Sequence, residues 1–255
     1  MKVFANYARY YNLLYRDKDY AAEAKFVHQL LQSYAPGTES IIELGCGTGA
    51  HAALLAEAGY DVYGVDLSDD MLEQAQKRSL ALPPQLACKL NFSQGDIRNV
   101  RIERKFDAAI SLFHVFSYQT SNDDLQAAFA TAKAHLKPGG VLIFDCWYGS
   151  AVLSDRPTVR VKRLEDEEII VTRIAEPVMD FNANLVDVNY QVFIQSKASG
   201  AVEQIHETHK MRYLFKPEID LLLNENDLEL ITYGEWMTGN KAGANTWQVF
   251  FIARG

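Results

Sequence analysis

The chain has 255 residues, enough to bury one large core, and 48% of them are hydrophobic, an ordinary proportion for a globular protein. Its 33 acidic against 25 basic residues give a formal charge of -8, which repels a phosphate backbone and argues against a nucleic-acid partner. No signal-peptide core or run near the roughly 18 apolar residues of a membrane span occurs, and the three cysteines, Cys46, Cys88 and Cys146, form no C-x-x-C pair, so a cytoplasmic protein with reduced thiols and no membrane contact is expected.

In chain order, Phe26, Val27, Leu30, Leu31 and Tyr34 share a helical face, and Ala35-Pro36-Gly37 ends that helix. The run Ile41-Ile42-Glu43-Leu44-Gly45-Cys46-Gly47-Thr48-Gly49 follows. Its apolar part predicts a strand buried on both faces, and its glycines, lacking Cβ, let the chain turn sharply and bring backbone against a ligand. A helix is expected near residues 50–58, a break at Gly59, and a strand over 61–65 ending at Asp66. Ser68 or Asp69 can cap a helix over 69–81, which Pro83-Pro84 closes. Strands are expected over 89–93 and 106–112, then a helix marked by Leu125, Ala128, Phe129, Ala132 and Leu136 that stops before Lys137-Pro138-Gly139-Gly140, then a strand over 141–145. This alternation predicts a doubly wound, mostly parallel α/β sheet.

After Trp147 the rhythm changes. Residues 167–178, 185–195 and 201–214 read as three antiparallel strands, most clearly where Val186, Val188, Tyr190, Val192 and Ile194 recur at period two. A helix over 218–226 and a terminal antiparallel pair over 228–236 and 246–253 complete the reading.

Ligands of an open α/β sheet bind beyond the carboxyl ends of the strands, where strand order reverses. A dinucleotide loop reads G-x-G-x-x-G, but here the third glycine comes one residue early and an acid precedes the first by two. Asp66, 23 residues after Glu43, is placed to accept from both hydroxyls of a ribose, and Asp96 follows the third strand within Gly95-Asp96-Ile97-Arg98.

The E-x-G-x-G-x-G pattern, with Asp66, Asp96 and Lys137-Pro138-Gly139-Gly140 in order over residues 41–145, resembles the class I S-adenosylmethionine (SAM) dependent methyltransferases. The resemblance implies a seven-stranded Rossmann-like sheet with an antiparallel β insertion after the fifth strand, SAM as methyl donor and S-adenosyl-L-homocysteine as product. It implies that Gly45, Cys46 and Gly47 line the methionine moiety, that Asp66 and Leu67 meet ribose and adenine, and that Asp96 and Ile97 edge the adenine, Asp96 accepting from its exocyclic amine. Leu112 would face the methionine carboxylate and sulfonium, and Glu43 would orient the loop amides. Met71, Tyr15 and Tyr20 complete the implied cofactor set.

A closer likeness lies in Tyr7-x3-Tyr11-x3-Tyr15-Arg16-Asp17-Lys18-Asp19-Tyr20, which resembles the amino-terminal lid of bacterial nucleotide-sugar N,N-dimethyltransferases and their small-molecule relatives. Tyr7, Tyr11 and Tyr15 share one face at helical spacing, and aromatic rings suit a sulfonium charge. The likeness implies a SAM-binding domain over residues 1–148 and 215–255, with 149–214 covering the acceptor pocket or making a dimer contact in a monomer or homodimer. It further implies methyl transfer to a nitrogen or oxygen of a small molecule, such as an amino or hydroxyl group of a nucleotide-linked sugar.

In-line displacement depends on alignment. A hydroxyl acceptor also needs a base, and an ammonium must first lose a proton. The family places such a group after the fourth strand, here Phe113-His114-Val115-Phe116-Ser117-Tyr118, so His114 and Tyr118, with Tyr11 of the lid face, are the candidate catalytic residues. His206 and His209, three apart on one strand, do not suit a joint metal site, and none is expected. Trp147, Tyr148, Arg160 and Arg173 are available to meet a phosphorylated substrate. Two readings compete: an NAD-linked oxidoreductase, which gives Asp96 no role, and a SAM-binding module without catalysis.

Overall fold

The fold is known from a computed structural model, and the residues described are 13–255. Helix α1 spans Tyr20–Tyr34, β1 Ser40–Leu44, α2 Ala50–Glu57, β2 Asp61–Asp66, α3 Asp69–Leu80, α4 Pro84–Ala87, β3 Leu90–Gln94 and β4 Phe106–Ser111. A 3-10 turn over Val115–Tyr118 precedes α5 Asn122–His135 and β5 Leu136–Trp147. Then come α6 Gly149–Ser154, β6 Arg160–Glu165, β7 Ile169–Asp180, β8 Leu185–Ser196, β9 Val202–Arg212, α7 Lys216–Glu225, β10 Glu229–Glu235 and β11 Gln248–Arg254.

The main sheet has seven strands in the order β10-β11-β5-β4-β1-β2-β3, with β11 antiparallel to both neighbours. Strand β1 is buried along its whole length, and its side chains alternate between two cores, as a two-sided strand must. Ile42 and Leu44 join Phe106, Phe129, Phe144 and Phe251 on one face, while Ile41 joins Val27, Leu31, Leu55, Ile110 and Ile252 on the other. Helix starts are fixed by local chemistry: Asp19 accepts from the Ala22 amide at 2.8 Å, Ser68 from Met71 at 3.4 Å and Ser121 from Asp124 at 3.0 Å. Strand order reverses between β1 and β4, because the chain runs outward through β2 and β3 and returns on the far side of β1.

The insertion differs from the expected three strands. It is a four-stranded antiparallel sheet, β6-β7-β8-β9, preceded by the short helix α6. Edge strand β6 was not legible because Arg160-Val161-Lys162-Arg163-Leu164-Glu165 has no buried face. The insertion packs Val171, Val192, Ile194 and Ile205 against Leu13, Leu14 and Met71, and Val186, Val188 and Met211 against Val152 and Tyr213. Its inner face therefore roofs the carboxyl ends of the main strands.

Helix α3 ends before Pro83-Pro84 as expected, and Pro84 then opens the single turn α4 with a φ preset for a first helical position. Two further expectations are corrected. Strand β5 starts at Leu136 and runs through Pro138-Gly139-Gly140, where the ladder to β4 shifts register. Tyr15 lies in a turn rather than on a continuing helix, and Tyr7 and Tyr11 lie outside the described residues. Among the described residues no helix is long and apolar enough to cross a membrane.

Candidate active site

The glycine loop leaves β1 at the strand reversal. The amides of Gly45 and Cys46 both donate to the carbonyl of Val65, at 2.8 and 2.9 Å, which ties the loop to the end of β2. Gly45 has φ +80°, and a Cβ there would stand 2.6 Å from Val115 Cγ2, so only glycine lets loop and post-β4 turn meet. Among the described residues, and apart from its two chain neighbours, nothing lies within 4 Å of where a Gly47 Cβ would be, which leaves that backbone open to a ligand.

Asp66 ends β2 beside this loop. One of its carboxylate oxygens accepts from the Gly47 amide at 2.8 Å and the other from the Ser68 amide at 2.9 Å. The carboxylate, which the Leu67 amide also approaches, has acceptor capacity for a further donor. Burial raises the Asp66 carboxyl above its ordinary value, against the pull of those amides. Leu67, 59% exposed, and buried Ile97 are apolar walls on either side of the crevice.

Asp96 stands at the wall, but its carboxylate is already engaged. Arg98 donates to it from its amide at 2.9 Å and from its guanidinium at 2.5–3.0 Å, and reaches on to Asp124 at 2.8 Å. The Arg98 hydrogen bonds hold the Asp96 carboxyl below its usual range despite partial burial.

Glu43 does not line the cavity. It is buried beneath the loop, and burial with the neighbouring Asp66 charge pushes its carboxyl up to about 8. Its Oε1 lies 3.8 Å from Nδ1 of His51, whose Nε2 is 2.7 Å from Glu23. Burial alone would raise Glu23, yet the bond from His51 and the charge of Lys18 bring it down to about 2.

Beyond β4, Leu112 leads into Phe113 and His114, two successive non-glycine residues at φ 65° and 63°. Left-handed backbone at such residues persists only where surroundings impose it. Asp145, buried at the end of β5, does so: it accepts the His114 amide at 3.0 Å, lies 2.7 Å from His114 Nδ1, and is held by Gln248 at 2.8 Å. Phe113 packs edge-on to Tyr15 at 5.0 Å, and Lys18 lies 4.2 Å over its ring.

These pieces converge on one cavity of about 490 Å³. Of the expected site residues, Tyr15, Tyr20, Gly45, Cys46, Gly47, Asp66, Leu67, Met71, Asp96, Ile97, Leu112, His114 and Tyr118 line it; Tyr11 lies outside the described residues. Sequence reasoning passed over Thr48, His51, Arg98, Gln119, Tyr190 and Met211, which also line it. Tyr190 was findable, since its period-two company with Val188 and Val192 puts it on the inward face of β8. His209, weighed only for a metal, is buried in the wall, while His206 is exposed and bonds Gln204. Trp147 reaches the cavity, whereas Arg160 sits exposed on the edge strand.

A family model described as a methyltransferase domain matches residues 41–140. The dTDP-3-amino-3,4,6-trideoxy-α-D-glucopyranose N,N-dimethyltransferase of Streptomyces venezuelae is 30% identical over 240 residues, 93% of this chain and 94% of its own. Among solved structures, Streptomyces venezuelae DesVI superposes with a TM-score of 0.79 at 27% identity, covering 98% of each chain. A SAM-dependent methyltransferase from Clostridium acetobutylicum does so with a TM-score of 0.79 at 25% identity, covering 96% of this chain and 95% of that one.

The chain belongs to the class I SAM-dependent methyltransferases, in the branch that resembles the nucleotide-sugar N,N-dimethyltransferases. It is an enzyme, and SAM is its cofactor; the oxidoreductase and non-catalytic readings fall. The cavity wall fits that cofactor: the Asp66 carboxylate lines it at the end of β2 with acceptor capacity for a vicinal diol, and the open Gly47 backbone offers the close approach a chain with Cβ atoms would block.

Proposed function

We propose that this enzyme methylates the amino group of a small sugar, nucleotide-linked as in the name of the Streptomyces relative. The observation that carries the reading is the chamber beyond Leu112, continuous with the cofactor crevice and walled by Phe113, His114, Tyr118, Trp147, Tyr190 and His209. Two of its walls are imidazoles backed by carboxylates, Asp145 behind His114 and Glu207 behind His209. Aromatic faces with acids behind them favour a basic amine, which is cationic until it reacts.

In this reading Asp66 holds the ribose hydroxyls, Leu67 and Ile97 flank the adenine, and Asp96, held by Arg98, edges its exocyclic amine. Gly45, Cys46, Gly47 and Leu112 face the methionine end, Met71, Tyr15 and Tyr20 close the crevice, and Glu43 supports the loop from below. Bound there, SAM supplies an electrophilic methyl group on a sulfonium. His114, whose backbone amide is held by Asp145 and whose Nδ1 stands 2.7 Å from it, offers its other ring nitrogen for the proton that an ammonium must lose. Residues 1–148 and 215–255 act as the donor-binding domain, and 149–214 roofs the acceptor. The three cysteines are unbridged, which supports work in a reducing cytoplasm.

The test is incubation with SAM and dTDP-3-amino-3,4,6-trideoxy-α-D-glucopyranose, followed by mass spectrometry of the sugar. Stepwise addition of one and then two methyl groups to nitrogen is expected. SAM binding without methylation of this or other amino sugars, or methylation of a hydroxyl instead, contradicts the reading.

A further inference from the structure

A polar chain crosses from the insertion to the post-β4 turn, outside the cofactor crevice. Strand parity turns Ile205, Glu207, His209 and Met211 inward on β9, and His209 is only 3% exposed. Its Nδ1 lies 2.8 Å from the Tyr118 hydroxyl and its Nε2 lies 3.3 Å from Glu207 Oε2. The Tyr190 ring meets the imidazole edge-on at 4.8 Å, and Arg173 lies 4.7 Å over Tyr190.

The protons of this chain follow from its donor and acceptor inventory. A carboxylate only accepts, so Nε2 of His209 carries the ring proton toward Glu207. With the imidazole taken as neutral it has one such proton, so Nδ1 accepts and Tyr118 donates to it. Burial pushes the Tyr118 hydroxyl well above the ordinary phenol range, so that proton stays in place. With its hydrogen directed to His209, the phenol oxygen meets a group on the cavity side through its lone pairs.

We infer that Glu207 and His209 set Tyr118 as a hydrogen-bond acceptor toward the methyl acceptor, which favours a group that carries a donor hydrogen and, for an amine, draws its N–H to Tyr118 and turns the nitrogen lone pair toward the methyl donor. The inference rests on the amine reading above and deepens it. A carbonyl, ether or phosphate oxygen placed at Tyr118 finds no hydrogen to accept, and repulsion between lone pairs rejects it. Glu207 and His209 are positioning residues, acting through Tyr118.

Two measurements test this. In the protein alone, ¹⁵N NMR of the imidazoles, with His209 assigned by its loss in His209→Asn, should show the neutral Nε2–H form for His209. An Nδ1–H form, or an imidazolium at neutral pH, overturns the chain whatever acceptor the wild type takes. With the amino sugar, Tyr118→Phe and His209→Leu should each lower kcat about tenfold with SAM affinity and melting temperature unchanged. His209→Asn, whose amide oxygen can replace Nδ1 as acceptor, should restore most of the rate. Wild-type turnover in His209→Leu, or no rescue by His209→Asn, overturns the proposal. If the wild type methylates no amine, the amine reading fails, and the selection inferred from it falls too, even where NMR supports the tautomer.

Discussion

Asp66 and Glu43 are two carboxyls a few residues from one loop, and their surroundings give them opposite tasks. Asp66 is held by the amides of Gly47 and Ser68 and faces the crevice. Asp66→Ala should weaken SAM binding by more than about 1 kcal/mol in calorimetry, because charge-assisted bonds to two hydroxyls are lost; an unchanged dissociation constant means the ribose is held elsewhere. Glu43, raised to about 8 by burial and by Asp66, keeps its proton in the folded state over pH values where the unfolded chain, at 4.5, has released it. The folded state then binds more protons than the unfolded one, so this residue makes stability fall as pH rises between those values. Glu43→Gln, which mimics the protonated acid, should lose less stability than wild type between about pH 5 and pH 8, by on the order of 1 kcal/mol or more. Urea unfolding at the two pH values checks it, and parallel losses would show Glu43 ionised when folded.

At the scale of elements, the site depends on where the glycine loop touches the turn after β4. Gly45→Ala forces a side chain into a left-handed backbone and against Val115, 2.6 Å away, and should cost at least about 1 kcal/mol in thermal unfolding and weaken SAM as well. An unchanged melting temperature would show that Val115 yields. The loop, its flanking strands and Asp66 were legible because burial on both faces, glycine spacing and an acid at a strand end each leave a local mark. The Phe113-His114 conformation was not, since nothing in those two residue types asks for a positive φ; Asp145, 31 residues along, imposes it. Asp145 itself carried the same mark as Asp66, an acid at the carboxyl end of a parallel strand. His209 was weighed only against a metal pair with His206 and set aside because three-residue spacing on a strand sends one histidine inward and the other out; the same parity puts His209 on the cavity wall. Strand β6 left no apolar alternation to read, and Pro138-Gly139-Gly140 read as a break although β5 passes through it.

For the whole molecule, the cavity lies between two sheets, floored by the carboxyl ends of β1, β2 and β4 and roofed by β8 and β9. Val171, Val192 and Ile205 of the roof pack on Leu14 and Met71, so donor and acceptor sides share one packed unit. A ligand that binds only the folded state stabilises it by mass action, about 2.7 kcal/mol at a concentration 100 times its dissociation constant. SAM should therefore raise the melting temperature, and Asp66→Ala should blunt that rise; an equal rise in both proteins would separate binding from Asp66. The central claim, an amine held in the Phe113–Tyr118 chamber facing the methyl donor, is tested most directly by a crystal structure with S-adenosyl-L-homocysteine and the dTDP-linked amino sugar. The account predicts the ribose diol on Asp66 and the sugar amine within hydrogen-bond reach of the Tyr118 oxygen. An amine pointing out of that chamber, or a sugar hydroxyl in its place, would contradict it.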